Sequence, residues 1–405
     1  MAQVWKIRRR WTQVFLLGFA WFFGDGCGWA EVNQADRYNL RVGPVDVRVQ
    51  AGTALGYSDN INFSETNPIG SMFIEPNLQF GFLWDITELN QLRLNLGLGY
   101  RKYFDSEATD TNGVRITPDS AIEFEFYVGK QWRVVLFDAF RFDQDPVDFP
   151  TVSNTFRFDR FENRAGFMAY WEVNPYWTYS IGYTNELVRS TRQQFNYLDR
   201  IGHIVTSGIT WQVNPDWQVG VSGTASWYDY DQSFNNNGGT FTVGPFFDGR
   251  LTDFLRVAGG VSFVVSDFET GGRFGDRSNV ATPNAYLRFT HEVNASLSHS
   301  LEGGRRTGVG LSSNTDTVNY VRHQASWLFV RDVGVGTTAF AEFGDESGGI
   351  LAENYTRYGA GINLSYQLTK SISAGLRYNY ITKESDRFGR SYDQNQVVFD
   401  LSYRF

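Results

Sequence analysis

Glu123 and Glu125 stand two residues apart in a run of alternating polarity, so an extended backbone turns both carboxylates to the same side. Paired carboxylates can divide acid and base work at a glycosidic bond. Two acids on a wet wall beside arginines also form ion pairs, and the arginines that share this face favour that second reading. The four histidines, His203, His291, His299 and His323, have no metal-ligand spacing, and no G-x-S-x-G, H-E-x-x-H or phosphate-loop pattern occurs. The single cysteine, Cys27, falls in a segment that reads as a removable leader, which leaves no thiol nucleophile, disulfide or thiolate metal site in the mature chain. The expectation is a protein that is not an enzyme, with no catalytic, cofactor-binding or metal-binding residues.

What the sequence does present is a one-sided row of charge. On the polar side of the alternating runs lie thirteen arginines: Arg48, Arg93, Arg101, Arg133, Arg141, Arg164, Arg250, Arg256, Arg288, Arg322, Arg357, Arg377 and Arg404. Against them stand ten acids: Asp46, Glu75, Glu123, Glu125, Glu162, Asp248, Glu292, Glu302, Glu342 and Asp400. The formal excess is +3, with no lysine on that face. Planar guanidinium groups present several donors at once, so such a wall can attract anions or can stiffen itself through salt bridges. Arg93, Arg101, Arg133, Arg141, Arg377 and Arg404 are the candidate selectivity residues. The acids at 145–148 and 345–346 fall in connections, where ordinary solvation is favoured over cation binding.

The elements that would position this charge are strands. From Val45 onward the dominant period is two, the signature of a strand with one apolar face. In the last run Val397, Phe399, Leu401, Tyr403 and Phe405 alternate with Gln396, Val398, Asp400, Ser402 and Arg404. A soluble sandwich alternates too. Here the runs are long, and the connections alternate between short and long. The short ones lie at 87–90, 130–131, 174–175, 214–215, 252–253, 292–294, 330–332 and 369–370, and the long ones, rich in Asp, Asn, Ser and Gly, include 59–71, 104–118, 145–155, 305–316 and 383–393. Seven tryptophans, Trp84, Trp132, Trp171, Trp177, Trp211, Trp217 and Trp327, flank the short turns, as an interfacial aromatic girdle would. The fold class is therefore all-β, a transmembrane antiparallel β-barrel of about 18 strands over residues 45–405, roughly 35 Å across its backbone.

Composition agrees. Aromatics make up 17% of the 405 residues and give ample surface to bury, which excludes a disordered chain. No apolar run beyond the N-terminus approaches the roughly 18–20 residues of a membrane helix. The net charge of −8 argues against a nucleic-acid partner. Lys6, Arg8, Arg9 and Arg10 precede an apolar stretch at 14–23, and small residues Gly28 and Ala30 flank Trp29, which predicts a signal peptide at 1–30 cleaved after Ala30. Residues 31–44 then form a short periplasmic segment, too short for a plug domain. An even strand number returns the chain to its starting side, so both termini are expected in the periplasm.

The stretch Asn39-Leu40-Arg41-Val42-Gly43-Pro44-Val45, followed by Gly56-Tyr57-Ser58-Asp59-Asn60-Ile61, resembles the start of a β-barrel porin family of Gram-negative outer membranes. The agreement is confined to about 25 residues and the aromatic last strand. Members of that family are often linked to exopolysaccharide or exosortase loci. The resemblance implies an outer-membrane porin or an export component of an envelope polysaccharide system, and a turn at the outer rim formed by Tyr57, Asp59 and Asn60. It also implies that the barrel assembly machinery reads Tyr403 and Phe405. Outer-membrane lipid, lipopolysaccharide, that machinery and polysaccharide-export proteins are the expected partners. Passive diffusion of small solutes is the expected function, and a structural or export role is the alternative.

Overall fold

The computed structural model describes residues 38–104, 113–143, 158–311 and 313–405. The expected leader with Cys27 and the expected acidic connection at 145–148 lie outside the described residues. The strands are β1 (Leu40–Val42), β2 (Val45–Ser58), β3 (Ser71–Thr87), β4 (Asn90–Tyr103), β5 (Gly113–Ile116), β6 (Ala121–Val128), β7 (Trp132–Asp143), β8 (Arg160–Asn174), β9 (Trp177–Ser190) and β10 (Arg200–Asn214). They continue as β11 (Trp217–Tyr230), β12 (Gly238–Thr252), β13 (Leu255–Phe268), β14 (Ala281–Asn294), β15 (Leu297–Gly308), β16 (Asp316–Val330), β17 (Val333–Glu346), β18 (Glu353–Gln367), β19 (Ile372–Ser385) and β20 (Tyr392–Arg404). Consecutive strands pair antiparallel except β5 and β6, which lie end to end between β4 and β7, and β20 returns to pair with β2, from Gln50 opposite Arg404 to Ser58 opposite Gln396. The result is a closed barrel of 18 strands.

Two short strands depart from the sequence pattern. The connection expected at 104–118 contains β5, which pairs with Leu98 to Arg101 of β4 before the chain steps sideways into β6. Together β5 and β6 fill one barrel position. The step is held because the Gly97 amide donates to Ser120 Oγ at 3.0 Å and the Thr117 amide donates to the Gly97 carbonyl at 3.0 Å. A Cβ on Gly97 would lie 2.1 Å from Thr117 Oγ1, so only glycine admits this approach. β1 pairs with Val45 to Val47 of β2, along the edge that β20 leaves uncovered once it ends. The expected turn at 292–294 sits slightly later, because β14 runs to Asn294, whose Oδ1 accepts the amides of Ser296 and Leu297.

The alternation sorts the side chains into two worlds. Leu, Val, Ile, Phe, Trp and Tyr at one parity of each strand are exposed on the outside, including Val221, Phe263, Leu301, Ile362 and Leu401. The seven girdle tryptophans all share that outer parity and lie at the short-turn end. Trp132 stacks on Trp171 with centroids 5.5 Å apart, and Trp177 stacks on Trp211 at 5.7 Å. A soluble sandwich would bury these rings between sheets. Here they ring one rim, at the depth where an indole bridges headgroup and hydrocarbon.

At the same rim the C-terminus closes the seam. The Phe405 amide donates to the Val49 carbonyl at 3.1 Å, and Phe405 packs edge-on to Tyr403 at 4.9 Å, both rings facing outward. Deleting Phe405 removes a seam hydrogen bond and the outermost ring together. The expected outcome is reduced membrane yield and loss of much of the heat-modifiable folded band in electrophoresis; unchanged yield and migration would show that neither contact matters for insertion.

Candidate functional site: the charged inner wall and its outer cover

Every strand from β2 to β20 presents its polar parity to the lumen, and there the charges assemble into relays. Glu75 lies between Arg101 at 2.6 Å and Arg115 at 3.3 Å; Arg115 reaches Asp143 at 2.7 Å. Asp143 is 3.8 Å from Arg160, which pairs with Glu162 at 2.6 Å, and Glu162 also takes Arg141 at 2.8 Å. Glu186 then joins Arg164 at 2.5 Å to Arg200 at 3.1 Å, and the Arg200 guanidinium stands over the Tyr228 ring at 5.2 Å. This belt crosses β3 to β11. On the other wall Arg288 pairs with Glu302, Tyr320 donates to Glu302 at 2.9 Å, and Glu342 gathers Arg306, Arg322 and Arg357 at 3.7, 2.8 and 3.4 Å.

Of the sequence-derived candidates, Arg93 pairs with Glu123 at 3.2 Å and Arg133 with Glu125 at 3.7 Å, with Arg133 also over the Tyr170 ring at 4.3 Å. Glu123 and Glu125 thus both face the lumen and are each engaged by an arginine. Arg101 and Arg141 belong to the belt. Arg377 and Arg404 face inward near the seam, on the same stretch of wall as Asp400, and stand apart from the belt. Tyr403 and Phe405 are outside, on the rim.

The expectation that the inner face lacks lysine is wrong. β19 continues to Ser385 rather than ending before residue 383, so Lys383 is an inner-wall residue, fully buried, 2.6 Å from Glu353. Arg115, Arg160, Arg200 and Arg306 join the cations; Asp143, Glu186, Asp316, Glu346 and Glu353 join the acids. With Asp85 and Glu172 at the short-turn rim, the expected formal excess nearly vanishes. Most of them lie in strand ends that look like loop, whereas Glu186 lies inside β9.

The depth of the partners varies along the wall. Around two carboxylates the acid is the deeper partner: the Glu342 side chain is 2% exposed while those of Arg306 and Arg322 are 35% and 29% exposed, and the Glu186 side chain is 4% exposed against 17% for Arg200. Around Glu162 the order reverses, with Arg141 and Arg160 the more buried. Glu186 holds two guanidinium groups and Glu342 three, and at these two carboxylates the more exposed partners are the cations.

The long connections cover the outer end of this wall. Asn60 donates to the carbonyls of Ser64 and Asp393 at 2.9 and 2.8 Å, and Asp59 accepts from the amide and side chain of Asn395, both at 2.7 Å. Asn236 donates to the Asp276 carbonyl at 2.7 Å and to Asn314 at 2.9 Å, while Asp276 accepts from the Asn314 amide at 2.8 Å and from Ser347 Oγ at 2.7 Å. Tyr197, Phe234 and Phe274 join three connections through rings 5.8–5.9 Å apart, and burial holds the Tyr197 phenol above its ordinary value. Gly349 at φ +57° abuts the Phe274 carbonyl, where a Cβ would come within 2.1 Å. Arg390 bonds Glu353 at 2.5 Å from above, completing the burial of Lys383.

Comparison with solved structures completes the picture. The crystal structure of the BenF-like porin from Pseudomonas fluorescens Pf-5 superposes with a TM-score of 0.52 at 9% identity, covering 90% of this chain and 100% of that one. The outer-membrane protein opdK from Pseudomonas aeruginosa superposes with a TM-score of 0.50 at 12% identity, covering 89% of this chain and 99% of that one. The fold is that of the outer-membrane porins. No family model matches the chain, and no curated protein matches it by sequence.

Two outcomes follow from this geometry. Glu186→Gln leaves Arg164 and Arg200 without their shared counter-charge; breaking a buried pair costs about 3–5 kcal/mol, and the partial wetting of these arginines puts the loss at the low end. A lower midpoint in urea unfolding of the heat-modifiable form checks it, with Glu123→Gln, a more exposed pair, shifting the midpoint less. Asn236→Ala with Asp276→Ala should keep the barrel folded but free the cover, so that trypsin added outside intact cells cleaves at Arg273 or Arg277 at least several-fold faster.

Proposed function

We propose that this chain is an outer-membrane channel through which small solutes diffuse passively, with a modest preference for anions. The observation that carries it is the inner wall, where arginines and carboxylates pair across neighbouring strands and where, around Glu186 and Glu342, the guanidinium groups are the more exposed partners. Such charge is tolerable against water and very costly against lipid. The outward apolar band and tryptophan girdle support insertion in an outer membrane. Both described chain ends lie at the short-turn rim, which supports a periplasmic placement of the termini after removal of residues 1–30. In that orientation the long connections meet lipopolysaccharide, and Tyr403 and Phe405 present the terminal signal to the barrel assembly machinery. A structural or export role beside polysaccharide-export proteins is the second reading, resting on the resemblance at residues 39–61.

Planar-bilayer recording of the purified protein separates the two: stable single-channel steps are expected, whereas a silent barrel would support the structural role. In a salt gradient the reversal potential should indicate anion preference. Fixed charge acts on ions within about a Debye length, roughly 10 Å at 0.1 M, a reach that covers much of the cross-section of a barrel roughly 35 Å across its backbone. Arg93→Gln with Arg133→Gln should shift the reversal potential toward cations. Cation selectivity in the unaltered protein would place selectivity in the acidic connections instead.

A further inference from the structure

Asp138 of β7 departs from the rule that sorts the two faces. It shares the outer parity of Trp132, Val134 and Leu136, and its side chain is exposed on that face. The other outer-parity acids of the described strands, Asp229, Asp267, Asp345, Glu384 and Asp393, lie at the outer ends of their strands. Asp138 follows the girdle residue Trp132 by six positions. At about 3.3 Å per residue and a tilt near 40°, that is about 15 Å above the girdle, within an apolar band about 25 Å tall. Its partner among the described residues is Asn163 of β8, whose Nδ2 donates to one carboxylate oxygen. The second oxygen has no donor there. A carboxylate at this depth is costly against lipid and calls for a protein surface that supplies the missing donor.

The strands on the other side of β8 carry the matching excess. Tyr183 of β9 lies six residues from Trp177 and His203 of β10 lies eight from Trp211, both on the outer parity, about 15 and 20 Å above the girdle. Tyr183 Oη and His203 Nδ1 share a hydrogen bond at 2.8 Å. A phenol and a neutral imidazole bring two donors to that bond and use one, so either tautomer leaves an O–H or an N–H over. Within one barrel Asp138 cannot reach it. The ladder row runs Asp138, Ala165, Asn185, His203, which puts three strand spacings, about 14 Å, between acid and imidazole. The acceptor excess on β7 and the donor excess on β9–β10 thus flank β8, which presents the small side chains Ala165 and Ala169 between them.

We propose that the outer face of β7–β10 is the contact surface of a homodimer in the membrane. A two-fold axis along the membrane normal, just outside β8, sets β7 of each copy against β9 of the other at equal height. Asp138 of each copy then meets the Tyr183–His203 pair of the other, twice over, in an isologous contact that closes at two copies. Ala165, six residues from Trp171 and so level with Asp138 and Tyr183, lies beside the axis, where a small side chain lets the two β8 strands approach. Each carboxylate gains its donor and leaves the lipid. The contact lies on the far side of the wall from the lumen and does not depend on the channel reading.

The test is disulfide trapping in membranes of cells that express the full chain. Ala165→Cys in a Cys27→Ser background, oxidised with copper phenanthroline, should give a covalent dimer on non-reducing electrophoresis. Ala339→Cys, exposed on the outer face of β17, should not. Adding Asp138→Leu to Ala165→Cys should lower the dimer fraction at least fivefold while heat-modifiable migration shows a folded barrel, since leucine suits a lipid-facing position. Should that variant not fold, Tyr183→Phe/His203→Leu removes the donors from the opposite side of the contact and should lower the dimer fraction likewise. No trapping at Ala165→Cys, equal trapping at Ala339→Cys, a dimer fraction unchanged by these substitutions, or trapping onto a different protein would each overturn the proposal.

Discussion

Closure of the hydrogen-bonded sheet is the constraint from which the rest of this molecule follows. In hydrocarbon a backbone amide has no water to fall back on, so each strand must find a partner on both sides. The chain meets this requirement by returning β20 to β2, and where β20 stops it lays β1 against the remaining edge. Once the sheet is closed, the period of two leaves no freedom: one parity of every strand faces lipid and the other faces the lumen. The apolar outer band, the tryptophan rim and the charged interior are consequences of that single closure.

A closed ring of polar inward residues raises its own difficulty, since charge near a low-dielectric wall must be compensated. The solution here is asymmetric. Carboxylates such as Glu186 and Glu342 sit deep and are surrounded, while guanidinium groups span from them toward the lumen. A side chain with five donors can satisfy a buried acid with one edge and still offer hydrogen bonds with another, which a lysine ammonium does less well. The one inner-wall lysine among the described residues, Lys383, is used differently, sealed between Glu353, Tyr355 and the connection that carries Arg390.

Much of this was legible in the sequence, because the features that place a strand in a barrel are local. Period-two runs, Asn-Pro turns and tryptophans beside short connections each need only neighbouring residues to be read. β5 was not legible: four residues followed by a sideways step at Thr117 to Ser120 carry no periodic signal. Lys383, Arg306 and Asp316 were assigned to connections because strand ends rich in charge look like loop, and only the partner strand shows that the ladder continues. The cover was invisible for another reason. Asn236, Asp276 and Asn314 are ordinary loop residues by type, and their bonds join positions 36 or more residues apart.

The central claim, that one parity of each strand lines water and the other lines lipid, is tested most directly by cysteine accessibility. Single-cysteine variants at Val221, Ser222, Ala225, Thr242 and Val243, made in a Cys27→Ser background and reconstituted in liposomes, would be exposed to a charged, membrane-impermeant thiol reagent. The account predicts rapid modification at Ser222 and Thr242 and protection at Val221, Ala225 and Val243. Modification at both parities alike, or the reverse pattern, would contradict it.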